Sequence, residues 1–175
     1  MIIIIMGVSG SGKTVVGQAL AANLHWLFED ADNWHPSSSI EKMHKGEALT
    51  DEDRKPWLRA LNSAVLAWIA EKRNVVLACS ALRKSYRNAL REGSSTGELV
   101  RFVYLQGTYE EVDRRLSGRV GHFMPGSLLE SQFAVLEEPN ASEALVVDIS
   151  HSVPIIVDSI VAGLRVGAAT RVAPE

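Results

Sequence analysis

An uninterrupted apolar run, Ile2 to Met6, stops at Gly7-Val8-Ser9-Gly10-Ser11-Gly12-Lys13-Thr14. No other stretch constrains the fold as strongly. Apolar residues without polar alternation suit a strand covered on both faces. Glycines at this density let the main chain fold tightly, so that successive N–H groups point inward at one anion. The pattern G-x-x-x-x-G-K-[S/T], after a strand and before a helix, is a phosphate-cradling loop. A helix starting near Lys13 adds its positive dipole end. Gly7, Val8, Ser9, Gly10, Ser11, Gly12, Lys13 and Thr14 are therefore assigned to a nucleoside triphosphate. Lys13 reaches toward the β- and γ-phosphates as a catalytic cation, and the Thr14 hydroxyl is placed to ligate Mg²⁺.

The rest of the chain alternates short β-rich runs with longer helical ones. Strands are expected at Ile2 to Met6, Trp26 to Glu29, Val75 to Cys79, Val100 to Leu105 and Leu145 to Ile149. Helical patterns fill Lys13 to Leu24, Ser38 to Lys45, Asp51 to Lys72, Arg83 to Glu92, Glu110 to Arg119 and Ser127 to Leu136, with another from Pro154 onward. Pro56 inside the third of these predicts a kink or a fresh helix start. Such alternation implies one α/β domain over residues 1–175, with right-handed crossovers and a mainly parallel sheet. Ligands of such sheets sit beyond the carboxyl ends of the strands, where the motifs of this chain fall.

Bulk properties narrow the partners. The 175 residues are 46% hydrophobic and 22% charged, with a net charge of −3. A field of that sign does not recommend nucleic acid. The single cysteine, Cys79, rules out an internal disulfide framework and fits a reducing compartment. The apolar start lacks a basic n-region and is too short for a secretory core, and no stretch approaches the roughly 20 apolar residues that span a bilayer. The expectation is a cytoplasmic, soluble protein with no membrane partner.

A carboxylate on the metal side is the next requirement. The run Val75 to Ser80 ends in serine, so the acid is sought in Phe28-Glu29-Asp30-Ala31-Asp32. One of Asp30 and Asp32 organises Mg²⁺ while the other accepts a proton from an attacking hydroxyl; an acidic solvated turn is the alternative. Further along, Thr50 resembles a helix N-cap answered by Asp53. Arg54 emerges beside Trp57, and its planar fork suits a carboxylate ligand, though a surface ion pair with Asp53 is also open. Three function classes remain at this point: a small-molecule kinase, a nucleoside monophosphate kinase, and a nucleotide-driven switch. A switch would normally show a hydrophobic strand ending in Asp, which this chain lacks.

Several blocks in fixed order then resemble the gluconate kinase family: Asp30 to Pro36 (DADNWHP), Ile40 to Met43, Leu49 to Leu58 (LTDEDRKPWL), Cys79 to Arg87 (CSALRKSYR), Gly121 to Pro125 (GHFMP) and Ser131 to Pro139 (SQFAVLEEP). The resemblance implies transfer of the ATP γ-phosphate to the 6-hydroxyl of D-gluconate, with Mg²⁺. It implies a P-loop NTPase fold of the nucleoside-monophosphate-kinase and shikimate-kinase type: five parallel strands flanked by helices, with a lid over approximately 119–139. By analogy with shikimate kinase, Asp30 falls on the metal side and Asp32 on the substrate hydroxyl. Arg54 then faces substrate carboxylate or hydroxyls. A homodimer is compatible with the resemblance.

Other polar residues divide between the site and the scaffold. His35 either donates to a substrate oxygen or caps the loop before Pro36. Arg83 and Arg87, four apart on an expected helix, either line the acceptor pocket or are solvated. Arg115 and Arg119 share a similar spacing and are expected to close over ATP, neutralising charge on the transferring group; a basic helix end is the alternative. His122 orders the lid and belongs to the substrate side, with Gly118 and Gly121 as hinges. Gln132 and Phe133 are placed on the lid's return helix. Against the family pattern, Ala31 stands where Gly is usual, which implies a tighter backbone there; Ser39 replaces Asn, Ala48 replaces Pro and Arg83 replaces Lys.

Overall fold

A computed structural model describes residues 1–45, 47, 49–94, 99–118 and 126–165. The elements follow in the order β1 (Ile2–Met6), α1 (Lys13–Leu24), β2 (Leu27–Asp30), a 3-10 turn (Ala31–Trp34), α2 (Ser37–His44), α3 (Asp51–Ala70), β3 (Val75–Ala78), α4 (Lys84–Arg91), β4 (Val100–Gln106), α5 (Tyr109–Ser117), α6 (Gly126–Val135), β5 (Ala144–Asp148) and α7 (Val153–Leu164). All strand pairs are parallel, in the order β2-β3-β1-β4-β5. The chain runs outward from β1 to one side and returns to β4 on the other. Its switch point is therefore the carboxyl end of β1, where Gly7 begins the phosphate loop.

The apolar run is explained by two cores. Side chains alternate across a strand, and here both faces are covered. Ile2, Ile4 and Met6 pack with Leu61, Val65 and Leu90 of α3 and α4. Ile3 and Ile5 pack with Val16, Leu20 and Ile160 of α1 and α7. All five β1 residues are fully buried, which a polar alternation would forbid. Among the described residues no helix is long and apolar enough to cross a membrane.

Two boundary expectations change. Trp26 is not in β2: its N–H donates to the Ala21 carbonyl (2.9 Å) in the turn that closes α1. Pairing with β3 instead runs from Leu27 to Asp30, carrying Asp30 to the end of its strand. Pro56 starts no new helix, because α3 is continuous from Asp51 to Ala70. Pro56 is exposed in the second turn, early enough in the helix that only one main-chain hydrogen bond is forgone. The expected Thr50–Asp53 capping box is formed and fixes the start of α3.

Candidate active site

The phosphate loop joins β1 to α1 through three glycines in left-handed backbone, Gly7 (φ 145°), Gly10 (φ 83°) and Gly12 (φ 101°). At Gly10 a Cβ would also lie 2.7 Å from the Leu116 side chain of α5, so glycine is required there twice over. The loop is braced at its base: the Gly7 N–H donates to the Ser80 carbonyl (3.3 Å), just beyond β3. Lys13 Nζ lies over the turn and donates to the Val8 carbonyl (3.1 Å).

At the neighbouring strand end, the Thr14 hydroxyl donates to Asp30 Oδ2 (3.0 Å), while Asp30 Oδ1 accepts the Asp32 N–H (3.1 Å). Thr14 and Asp30 thus meet as hard oxygen donors, a set that suits Mg²⁺ shared with phosphates. Among the described residues no group of three His, Cys, Asp or Glu is placed to hold a metal ion by itself. Asp32 is exposed. Between the two aspartates, Ala31 is fully buried and its carbonyl accepts the Trp57 indole N–H (2.8 Å). Ala31 opens the 3-10 turn without left-handed backbone, so an alanine is accommodated there without strain.

His35 stacks on Trp57, with centroids 4.4 Å apart and planes 9° from parallel. Burial, reinforced by Arg54 and opposed by Asp32, holds its pKa below the ordinary histidine value. Its main-chain N–H closes the 3-10 turn on the Asp32 carbonyl, so the capping reading holds for the backbone. Nδ1 is buried without a hydrogen-bond partner among the described residues.

The third group lies where α3 faces the loop between β3 and α4. Arg54 Nη1 donates to the Leu49 carbonyl (2.6 Å) and reaches the Tyr86 hydroxyl (3.5 Å). Arg83 Nη1 pairs with Asp51 Oδ2 (2.7 Å), and the Tyr86 hydroxyl donates to Asp51 Oδ1. The Tyr86 bond above all, then Arg83 and Arg54, keep the Asp51 carboxyl below its usual range against partial desolvation.

Arg87 departs from its expected place. Arg83 precedes α4 with extended backbone (φ −94°, ψ 147°), so the two arginines do not share a helix face. Arg87 is 1% exposed and donates to the carbonyls of Ala81 (3.3 Å), Leu82 (3.2 Å) and Glu137 (2.9 Å), with Glu143 at 3.5 Å. It clamps the strand-end turn, in which Ala81 holds a positive φ of 42° at a cost of roughly 1–2 kcal/mol. Cys79, buried beneath this turn, has its thiol pushed up to about 12 by burial, which suits a packing residue and not a nucleophile.

Arg115 donates to the Ile149 carbonyl beyond β5. It borders a cavity of about 340 Å³ lined by Gly10, Gly12, Val15, His151 and Ile156, directly beside the phosphate loop. Arg119 and His122 lie outside the described residues, as does Ala48. Gln132, placed by its sequence on the return helix, also meets the phosphate loop, a pairing the sequence did not signal. Gln132 of α6 accepts the Ser9 N–H through Oε1 (2.7 Å) and donates from Nε2 to Ser9 Oγ (3.0 Å).

Comparison with known proteins agrees with this arrangement. The shikimate kinase family model matches residues 9–148. A probable gluconokinase of Xenopus tropicalis is 46% identical over 173 residues, covering 91% of each chain. The thermoresistant gluconokinase of Escherichia coli is 44% identical over 168 residues, covering 95% of this chain and 94% of its own. The chain belongs to the gluconokinase family. A gluconokinase of Sinorhizobium meliloti of solved structure superposes with a TM-score of 0.83 at 42% identity, over 93% of this chain and 90% of that one. In gluconokinase terms, DADNWHP, LTDEDRKPWL and the start of CSALRKSYR lie about the strand ends, whereas Arg87 and Glu137 brace them from behind; Gly121 to Pro125 lies outside the described residues.

Proposed function

We propose that this chain is a gluconokinase that transfers the γ-phosphoryl group of ATP to the 6-hydroxyl of D-gluconate, giving 6-phosphogluconate. The observation that carries the reading is the linked set Thr14–Asp30–Asp32: it joins the triphosphate loop to an exposed carboxylate one turn away. The loop amides of residues 7–14 and Lys13 hold the triphosphate, with Arg115 at the adjoining cavity and Arg119 closing over the transferring group. Thr14 and Asp30 hold Mg²⁺, which when bound offsets charge on the β- and γ-phosphates. Asp32 accepts the proton of the 6-hydroxyl as its oxygen bonds to the γ-phosphorus. The bond to the β–γ bridging oxygen breaks and ADP leaves, with no covalent enzyme intermediate. Arg54 and Arg83 take the acceptor's carboxylate, and His35 and His122 its hydroxyls. Arg87 acts through the turn it clamps. A small soluble acceptor fits a cytoplasmic enzyme, and we extend the reading to a homodimer.

ADP release measured with D-gluconate, shikimate, AMP or no acceptor tests this. Stimulation by gluconate alone is expected. Stimulation by AMP would make the chain a nucleotide kinase, shikimate preference would reassign the acceptor, and acceptor-independent release would make it a hydrolysing switch.

A further inference from the structure

Two guanidiniums and a phenol converge on one carboxylate of the protein itself. Arg83 Nη1 lies 2.7 Å from Asp51 Oδ2, the Tyr86 hydroxyl donates to Oδ1, and Arg54 Nη1 stands 3.8 Å from Oδ1. This is the donor set a ligand carboxylate needs. We propose that Asp51 competes with the acceptor's own carboxylate for Arg54, Arg83 and Tyr86, and so sets how tightly the sugar acid is held; the inference rests on the acceptor role given to the two arginines above.

Three observations favour competition over a purely positioning role. Arg54 has holds besides Asp51, the Leu49 carbonyl (2.6 Å) and the Tyr86 ring, whose centroid lies 5.7 Å from its guanidinium carbon, and Arg83 keeps the same ring at 6.0 Å. The start of α3 does not depend on Asp51, because Thr50 and Asp53 cap it. The Asp51 side chain is 51% exposed, so turning into water is open to it. There it remains beside the positive end of α3. A carboxylate arriving from the ligand therefore exchanges with one already solvated in part, and its net gain is reduced accordingly.

Steady-state kinetics with the full chain test the exchange. Asp51→Asn, which keeps the shape and loses the charge, is expected to lower KM for gluconate about threefold, the scale of competition between partly exposed charges. The change falls on KM and not on kcat, and ATP KM does not follow it. Asp51→Glu, which restores the charge, returns gluconate KM toward that of the parent. A KM that is unchanged or raised in Asp51→Asn, with the circular dichroism and melting of the parent, overturns the proposal. Arg54→Ala and Arg83→Ala measured alongside separate the two levels of the reading. If either raises gluconate KM by roughly tenfold or more, the acceptor site stands, and only the Asp51 result decides the competition. If neither does, the acceptor assignment itself falls, and the competition with it.

Discussion

Between Gly7 and Thr14 the proposed donor side presents successive main-chain groups of a single turn. The proposed acceptor side draws Asp32, Arg54, Arg83 and Tyr86 from three separate stretches and relies on side chains, with Thr14 and Asp30 assigned to the metal between the two ends. The difference matters for how each end fails. Main-chain amides survive every substitution except proline, so the donor side is perturbed mainly through its glycines and through Lys13. The acceptor side is a set of replaceable groups held in place by others, chiefly Trp57 on Ala31 and Arg87 on the Ala81 turn. On the proposed assignment, loss of the acceptor-side base should spare ATP binding, whereas loss of Lys13 should not.

The largest effects probe that separation directly. Lys13→Ala is expected to lower kcat about 10³-fold and to weaken ATP as well, since it removes a cation from the developing charge. Asp32→Asn is expected to lower kcat about 10²–10³-fold while ATP KM stays within about twofold, the loss typical of a missing general base. Kinetics in both substrates distinguish them, and a full loss of ATP affinity in Asp32→Asn would break the division between the two ends.

A smaller effect tests the support behind the acceptor side. Arg87→Met leaves the carbonyls of Ala81, Leu82 and Glu137 without this donor and is expected to cost about 3 kcal/mol in urea unfolding. An unchanged midpoint would return Arg87 to the role of a ligand-facing cation.

The smallest effect concerns pH and the start of α3. Lys42 first, then the Thr50 N–H and hydroxyl, hold the Asp53 carboxyl at about 2. A depressed carboxyl favours the fold above its unfolded value near 3.8, and this contribution fades as pH falls through about 2. Asp53→Asn should therefore flatten the dependence of stability on pH in that acid window, read by urea titration at each pH. An unaltered slope would mean that Asp53 does not titrate as the capping geometry requires.

Reading the sequence reached the strand, loop and helix from Ile2 to Leu24 almost completely, because the information there is contiguous: a buried run, glycines at fixed spacing, then Lys13 and Thr14. Among the described residues the five strands and seven helices were also recognisable to within a residue or two, the strands as short apolar runs and the helices as longer mixed stretches between them. The acceptor side was legible only in part. Thr14 and Asp30 were expected to share a metal, and they meet. Arg83 and Arg87 were paired by helical spacing, which fails because Arg83 lies ahead of the first helical residue. Asp51 reaches Arg83 and Tyr86 across 32 and 35 residues, and Gln132 reaches Ser9 across 123. No local pattern encodes such pairings. They become visible only when the crossovers bring the strand ends together.

The indole of Trp57 ties the helix carrying Arg54 to the peptide between Asp30 and Asp32. Whatever shifts that helix drags the Asp30–Asp32 segment with it. Re-tailoring this enzyme toward longer or shorter acids by sliding α3 would thus spoil turnover before it changed preference. Respecialisation is better sought by exchanging side chains at positions 54 and 83 on an unmoved frame.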